Sequence, residues 1–128
     1  MTEPLFSAEL EGSDLLVIEA HGAMTAISME VALEMLIPTV EHMSHGGMLM
    51  RAKDVQWPTL GAIAVELRHW PQLMGMIKKI DKIALLTNQS WVRTWAGLES
   101  SLIPNLVIKS FDPDQEEAAR AWLAAAGR

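Results

Sequence analysis

Few residues in this chain are able to do chemistry, and the histidines come first. His42 and His45 stand three apart near the end of a helical pattern, a spacing that puts both on one side of a helix. With Glu41 beside them they make a partial metal site of nitrogen and oxygen ligands. No third ligand has diagnostic spacing, and histidines near a helix C-terminus already interact well with the negative end of its dipole. The pair is read as dipole partners: His42 and His45 stay weak metal candidates, and no resident metal is expected. His21 and His69 could each act as a general base, since imidazole titrates near neutral pH. The sequence places neither a nucleophile nor an oxyanion hole beside them, so no triad is arguable. A small enzyme using His21 or His69 is the weaker alternative to a chain that does no catalysis. There is no cysteine and no glycine-rich phosphate cradle, so no cofactor is expected.

Arg68, Lys78, Lys79 and Lys82 gather around the second helical pattern and the strand after it. On an acidic chain they are a candidate contact for an anionic ligand, a carboxylate or a lipid headgroup, against the plainer reading of a solvated face. Nine methionines and five tryptophans are the other unusual feature. Met24, Met29, Met35 and their kin fill irregular gaps in cores and suit adaptable binding surfaces.

These residues have to be positioned by a scaffold, and the length allows one. The chain has 128 residues, half of them hydrophobic, which reads as a single domain over 1–128 with a core of its own. A net charge of -6 disfavours nucleic acid, which selects for the opposite sign. No apolar run reaches the roughly 18 residues of a membrane span, and no signal segment is visible. The expectation is a cytoplasmic protein without integral membrane association.

Leu5–Leu10 and Leu15–Ala20 read as a hairpin around Gly12-Ser13-Asp14. From Thr25 the period becomes helical: Met29, Leu33, Leu36, Val40 and Met43 line one side, Pro38 is expected to kink the helix, and Gly46-Gly47 to end it. Met48–Ala52 is a short strand and Lys53–Pro58 a loop. Leu60, Ile63, Leu67 and Trp70 mark a second helix that Pro71 breaks or kinks, with a short helical continuation over Leu73–Lys79. Lys82–Thr87 is a buried strand. Asn88 or Ser90 caps a third helix that ends before Pro104, and Leu106–Phe111 is the last strand. Asp112-Pro113-Asp114-Gln115 is a strong start for a final helix, with Gly127 as its stop. The order is β-β-α-β-α-β-α-β-α, an α/β domain with about four helices and a largely parallel sheet. The expected core includes Leu16, Ile18, Leu33, Leu36, Leu49, Ile63, Leu67, Ile83, Leu85, Val107 and Leu123.

That order resembles the STAS fold of the anti-sigma-factor antagonists, and particular residues point to the SpoIIAA-like group. Met35-Leu36-Ile37-Pro38 is similar to the group's leucine-isoleucine-proline kink. Ile80-Asp81-Lys82-Ile83-Ala84-Leu85-Leu86 followed by Ser90-Trp91 resembles its basic residue, apolar strand and tryptophan-led helix. Phe111-Asp112, Glu117-Ala118 and Ala121-Trp122-Leu123 resemble its closing strand and helix. The resemblance implies a five-stranded mixed sheet, the first strand antiparallel beside four parallel ones. It also implies a non-enzymatic regulatory module that binds a partner. Phospho-switch members present a serine after the third strand, at the head of the next helix. Here Arg51-Ala52-Lys53-Asp54-Val55-Gln56-Trp57-Pro58-Thr59 holds no serine, and Thr59 is its only hydroxyl. A switch through Thr59 is therefore the alternative, with helix capping the plainer role for that residue.

The first helix also carries Ile27, Val31 and Met35 as a second apolar stripe, more than one sheet contact hides. With Trp57 and Trp70 these are the candidate interface or apolar groove. A homodimer through the first or second helix is the preferred cover, with a groove for a small apolar ligand or plain burial as the alternatives. The sequence-based reading is a STAS-like binding module contacting a protein partner or a small apolar ligand.

Overall fold

The computed structural model describes residues 6–125 except 13, 24, 44, 58, 104 and 105, and for 99, 100 and 102 the backbone alone. Met24, Pro104 and the stop at Gly127 lie outside the described residues. Strands β1 (Phe6–Glu11), β2 (Leu15–Gly22), β3 (Gly46–Val55), β4 (Ile80–Leu86) and β5 (Val107–Phe111) form one sheet in the order β1-β2-β3-β4-β5. β1 runs antiparallel to β2, and β2 through β5 are parallel. The helices are α1 (Ala26–Glu41), α2 (Leu60–Arg68), α3 (Trp70–Ile77), α4 (Ser90–Leu102) and α5 (Glu116–Ala124).

The parallel strands advance in one direction, so right-handed crossovers put every connecting helix on the same face of the sheet. Leu16, Ile18, Met48 and Ile83 meet Leu36, Val40 and Met43 of α1 and its exit and Met76 of α3 there. Ala52, Val55 and Leu85 meet Trp91, Val92 and Ala96 of α4 on that same face. Only α5, which follows the last strand, is free to cross over. It packs Ala119, Trp122 and Leu123 on the alternate strand positions Val17, Leu49, Ala84, Leu86 and Phe111.

Local chemistry explains most boundaries and several departures. Thr25 and Ser28 form a reciprocal capping box that starts α1. The helix runs on through Pro38, which sits on the exposed side where the carbonyl it leaves unpaired can meet water. Gly46-Gly47 does not end that helix; both residues open β3. A side chain on Gly46 would land on the Asp14 main chain, and Gly47 N–H donates to Asp14 O at 3.0 Å. β3 also continues to Val55, through residues expected to be loop. The break expected at Pro71 is a full one and falls at His69, which leaves helical geometry, so that Pro71 sits in the first turn of a separate helix. Among the described residues the count is therefore five helices.

α5 begins at Glu116, later than expected. Asp112 forms a turn with Gln115, and its carboxylate goes to Arg93 at 2.8 Å instead of capping the helix. The core differs at four positions. Leu67 and Val107 are exposed, while Ile63 and Leu123 are half-buried. α2 buries only Ala62 and Val65, so the small residues rather than the large ones face the core.

Candidate functional site

The carboxyl ends of the parallel strands are where crossover loops open and where sheets of this kind place their sites. β3 ends there at Val55, just after Asp54, whose φ of 52° lies in the left-handed region. A non-glycine residue in that region costs roughly 1–2 kcal/mol, and aspartate is among the residues that tolerate it. The turn is held from outside. Gln89 Oε1 accepts from Val55 N–H at 2.9 Å and its Nε2 donates to Val55 O at 2.9 Å, imitating a strand partner. Gln56 N–H donates to Gly22 O at 2.8 Å. Two residues beyond Gln89, Trp91 stacks on Trp57 with ring centroids 4.6 Å apart and planes 22° from parallel. The segment 89–91 thus fixes the loop that carries Trp57 and leads into Thr59.

Thr59 is the N-cap of α2 and accepts from Ala62 N–H at 3.1 Å. The first turns of α1 and α2 touch at Ala26 and Gly61, where a β-carbon on Gly61 would lie 3.1 Å from that of Ala26. That contact brings Ile27 and Leu60 to the same corner as Thr59 and Trp57. Leu60 is 86% exposed, Ile27 78% and Trp57 66%, the highest values among the described large apolar residues.

The other candidates are scattered. His21 lies near the end of β2, in register with Lys53. His69 lies between α2 and α3, where its Nδ1 donates to Val65 O at 2.9 Å. The 9 residues of α2 separate Thr59 from His69, about 15 Å from cap to cap at 1.5 Å per step. His42 closes α1 through its backbone, and His45 Nδ1 lies 2.8 Å from Asp81 Oδ2. Among the described residues no three histidine, aspartate or glutamate side chains gather to hold a metal. Trp70 is half-buried at the start of α3.

The four cations do not converge on an anion. Lys82 is buried and donates to Trp122 O at 2.9 Å and Ala125 O at 3.1 Å, capping α5. Lys79 donates to Val40 O and Glu41 O at the end of α1, on the opposite face of the sheet. Arg68 pairs with Glu30 at 3.3 Å, and Lys78 is exposed. The physical reason is that helix C-termini leave carbonyls unpaired, and these lysines are what the fold supplies to them. A cavity of about 440 Å³ lies at the amino ends of β3 and β4, lined by Asp14, Gly46, Gly47, Asp81, Lys82 and Leu123. Its one amine is already committed to α5.

An ionic network on the α5 face had no sequence signal beyond the outward position of Arg51 on its strand. Glu116 takes a two-pronged contact from Arg51 at 2.8 and 2.7 Å and a third from Arg120 at 2.9 Å. Arg51 reaches on to Glu19 at 2.8 Å, and Arg120 to Glu11 at 2.9 Å. The Arg51 hydrogen bonds hold the Glu116 carboxyl down at about 2 against the opposing effect of burial, with Arg120 adding to the lowering. Glu11 is likewise lowered, first by its hydrogen bond to Arg120. The network is a clamp between α5 and the first three strands.

The fold is thus that of an α/β module with a fixed loop at its strand ends. A family model described as SpoIIAA-like matches residues 15–124. This chain belongs to the SpoIIAA-like family. Solved structures it resembles include an uncharacterized protein with a SpoIIAA-like fold from Shewanella loihica PV-4, with TM-score 0.71 and 17% identity over 97% of this chain and 99% of that one. Another is the Bacillus cell fate determinant SpoIIAA in its phosphorylated form, with TM-score 0.51 and 12% identity over 91% and 98% of the two chains. At these identities they establish the fold alone. No curated protein matches the sequence. No described helix is long and apolar enough to cross a membrane.

Proposed function

We propose that this is a non-enzymatic STAS-like binding module whose ligand is another protein, docked at the corner where α1, α2 and the β3–α2 loop meet. The observation that carries the reading is the gathering of Leu60, Ile27 and Trp57, the most exposed large apolar residues described, around Thr59. Water-exposed side chains of this size each forfeit roughly 1.5–3 kcal/mol that a cover would recover. The loop is already rigid through Gln89 and Trp91, so little ordering entropy is lost on docking. Separation of Thr59 from His69 along α2 favours binding over a nucleophile–base pair.

Self-association is a second reading, carried by α2. Leu60 and Leu67 are seven residues apart and so share a side of the helix, and Leu67 is 63% exposed. Two copies meeting there would cover both. Sedimentation at micromolar concentration tests it: a dimer that Leu67→Glu dissociates, with unchanged circular dichroism, supports it, and a 14.1 kDa monomer sinks it. For the docking corner, Leu60→Glu should abolish a specific co-purifying protein that Thr59→Ala retains. Equal retention by both variants would refute the corner. A phospho-switch at Thr59 rests on its exposure at a helix N-terminus, where added phosphate is favoured. A kinase-dependent mass gain that Thr59→Ala removes is its test.

A further inference from the structure

Resting on the protein-docking reading above, we propose that the outward side of α1 receives a basic amphipathic helix of a partner protein. α1 has 16 residues, about 24 Å at 1.5 Å per residue. At about 100° per residue, the buried Met29, Leu33, Leu36 and Val40 occupy one arc of it. Ile27, Val31 and Met35 fall in the nearly opposite arc, and are 78%, 50% and 39% exposed. They form a straight row at i, i+4 and i+8, the spacing by which one helix offers itself to another.

One flank of that row is acidic. Glu30, Glu34 and Glu41 all fall within the adjoining arc. Arg68 approaches Glu30 at 3.3 Å, but both side chains are largely exposed and such pairs are worth little. Among the described residues no cation pairs with the carboxylate of Glu34 or Glu41, although Lys79 reaches the main-chain carbonyl of Glu41 at 3.4 Å. The surface therefore has an apolar row and, beside it, a carboxylate bank of which only Glu30 meets a cation, Arg68, across an exposed pair.

Charge complementarity selects the occupant. A helix laying its own apolar row on Ile27, Val31 and Met35 brings one of its flanks against the carboxylates. Lysine or arginine there gains attraction, and glutamate meets repulsion. A second copy of this chain fits less well. Antiparallel α1 helices about a two-fold axis set glutamate against glutamate, and parallel ones set each acidic flank against the one that carries Ser28 and Thr39, so neither arrangement offers the carboxylates a cation. The net charge of -6 further steers a basic partner inward. The capping box at Thr25 and Ser28 keeps the first turn of α1 formed before anything arrives.

The probe is a pair of fluorophore-labelled synthetic peptides of about four helical turns. Both carry leucines at i and i+4, and they differ only in lysine or glutamate along one flank. Titrated into the full-length protein, the lysine peptide should bind and the glutamate peptide should not. Val31→Ser and Glu34→Lys should each weaken the lysine peptide by about tenfold or more, while Glu9→Lys on the other face of the sheet leaves it within about threefold. Glu9→Lys makes the same charge change, so equal losses from Glu9→Lys and Glu34→Lys would reduce the effect to general attraction and overturn the proposal. Equal binding of both peptides, abolished by Val31→Ser, would overturn the basic partner while leaving protein docking intact. Failure of both peptides to bind a monomeric protein would overturn the docking face itself. A wild-type dimer that Val31→Ser dissociates would make the second copy the occupant and overturn the proposal.

Discussion

Lys82 carries its charge to a position only 6% exposed, and the carbonyls at the end of α5 make that tolerable. Its amine also lies 5.1 Å from the centre of the Trp122 ring, a further favourable contact for a partly desolvated cation. Replacing it by methionine keeps the stem but leaves two carbonyls without their donor. Lys82→Met should lower stability by about 1–3 kcal/mol, read as a shift in the urea midpoint with unchanged slope. Glu116 makes a pH-dependent claim. Its folded carboxyl titrates at about 2 against an ordinary 4.5, so its stabilisation is complete above 4.5 and is lost as pH falls toward 2. About a third of the side chain is in water, which screens the effect to about 1 kcal/mol. Thermal melts from pH 5 to pH 2 should show wild type losing that increment and Glu116→Gln, already without it at pH 5, losing less over this window.

At the scale of elements, the loop between β3 and α2 owes its shape to side chains from the start of α4. Gln89→Ala would remove both bonds to Val55 and free the turn at Asp54. The stacking of Trp57 on Trp91 should then weaken, visible as loss of near-ultraviolet circular dichroism while the far-ultraviolet spectrum holds. An unchanged aromatic signal would show that the stack alone fixes the loop. Thr59→Ala should cost about 1 kcal/mol through loss of the α2 cap, whatever else that hydroxyl does. The cap is a local feature readable from a threonine ahead of Leu60 and Gly61. The clamp from Gln89 is not, because thirty-four residues separate the partners.

Over the whole molecule, one rule of handedness sorts the helices. Strands that advance β2 to β5 with right-handed crossovers force α1 through α4 onto one face, and α5 alone serves the other. That face would be thinly covered without the clamp of Arg51, Glu116 and Arg120, which draws α5 toward β1, β2 and β3. Arg51→Met should therefore raise hydrogen exchange in α5 above that in α1, and equal protection of the two helices would count against a clamp.

The alternating and helical periods of the sequence determined the strands, their order and most helices, since binary pattern follows directly from which side must be dry. The resemblance quoted from Leu36-Ile37-Pro38 to Trp122 pointed to the family that the match over residues 15–124 establishes. The same pattern misplaced Leu67 and Val107, because it identifies apolar residues but not whether an element lies above them. The break expected at Pro71 falls two residues earlier, at His69, and the late start of α5 escaped the pattern, each depending on one or two hydrogen bonds at a junction. Only tertiary structure decided that Lys79 and Lys82 would face opposite sides of the sheet to cap different helices. It alone brought Ile27 to the segment from Trp57 to Leu60, since helix packing at Ala26 and Gly61 joins parts of the chain that no local period connects.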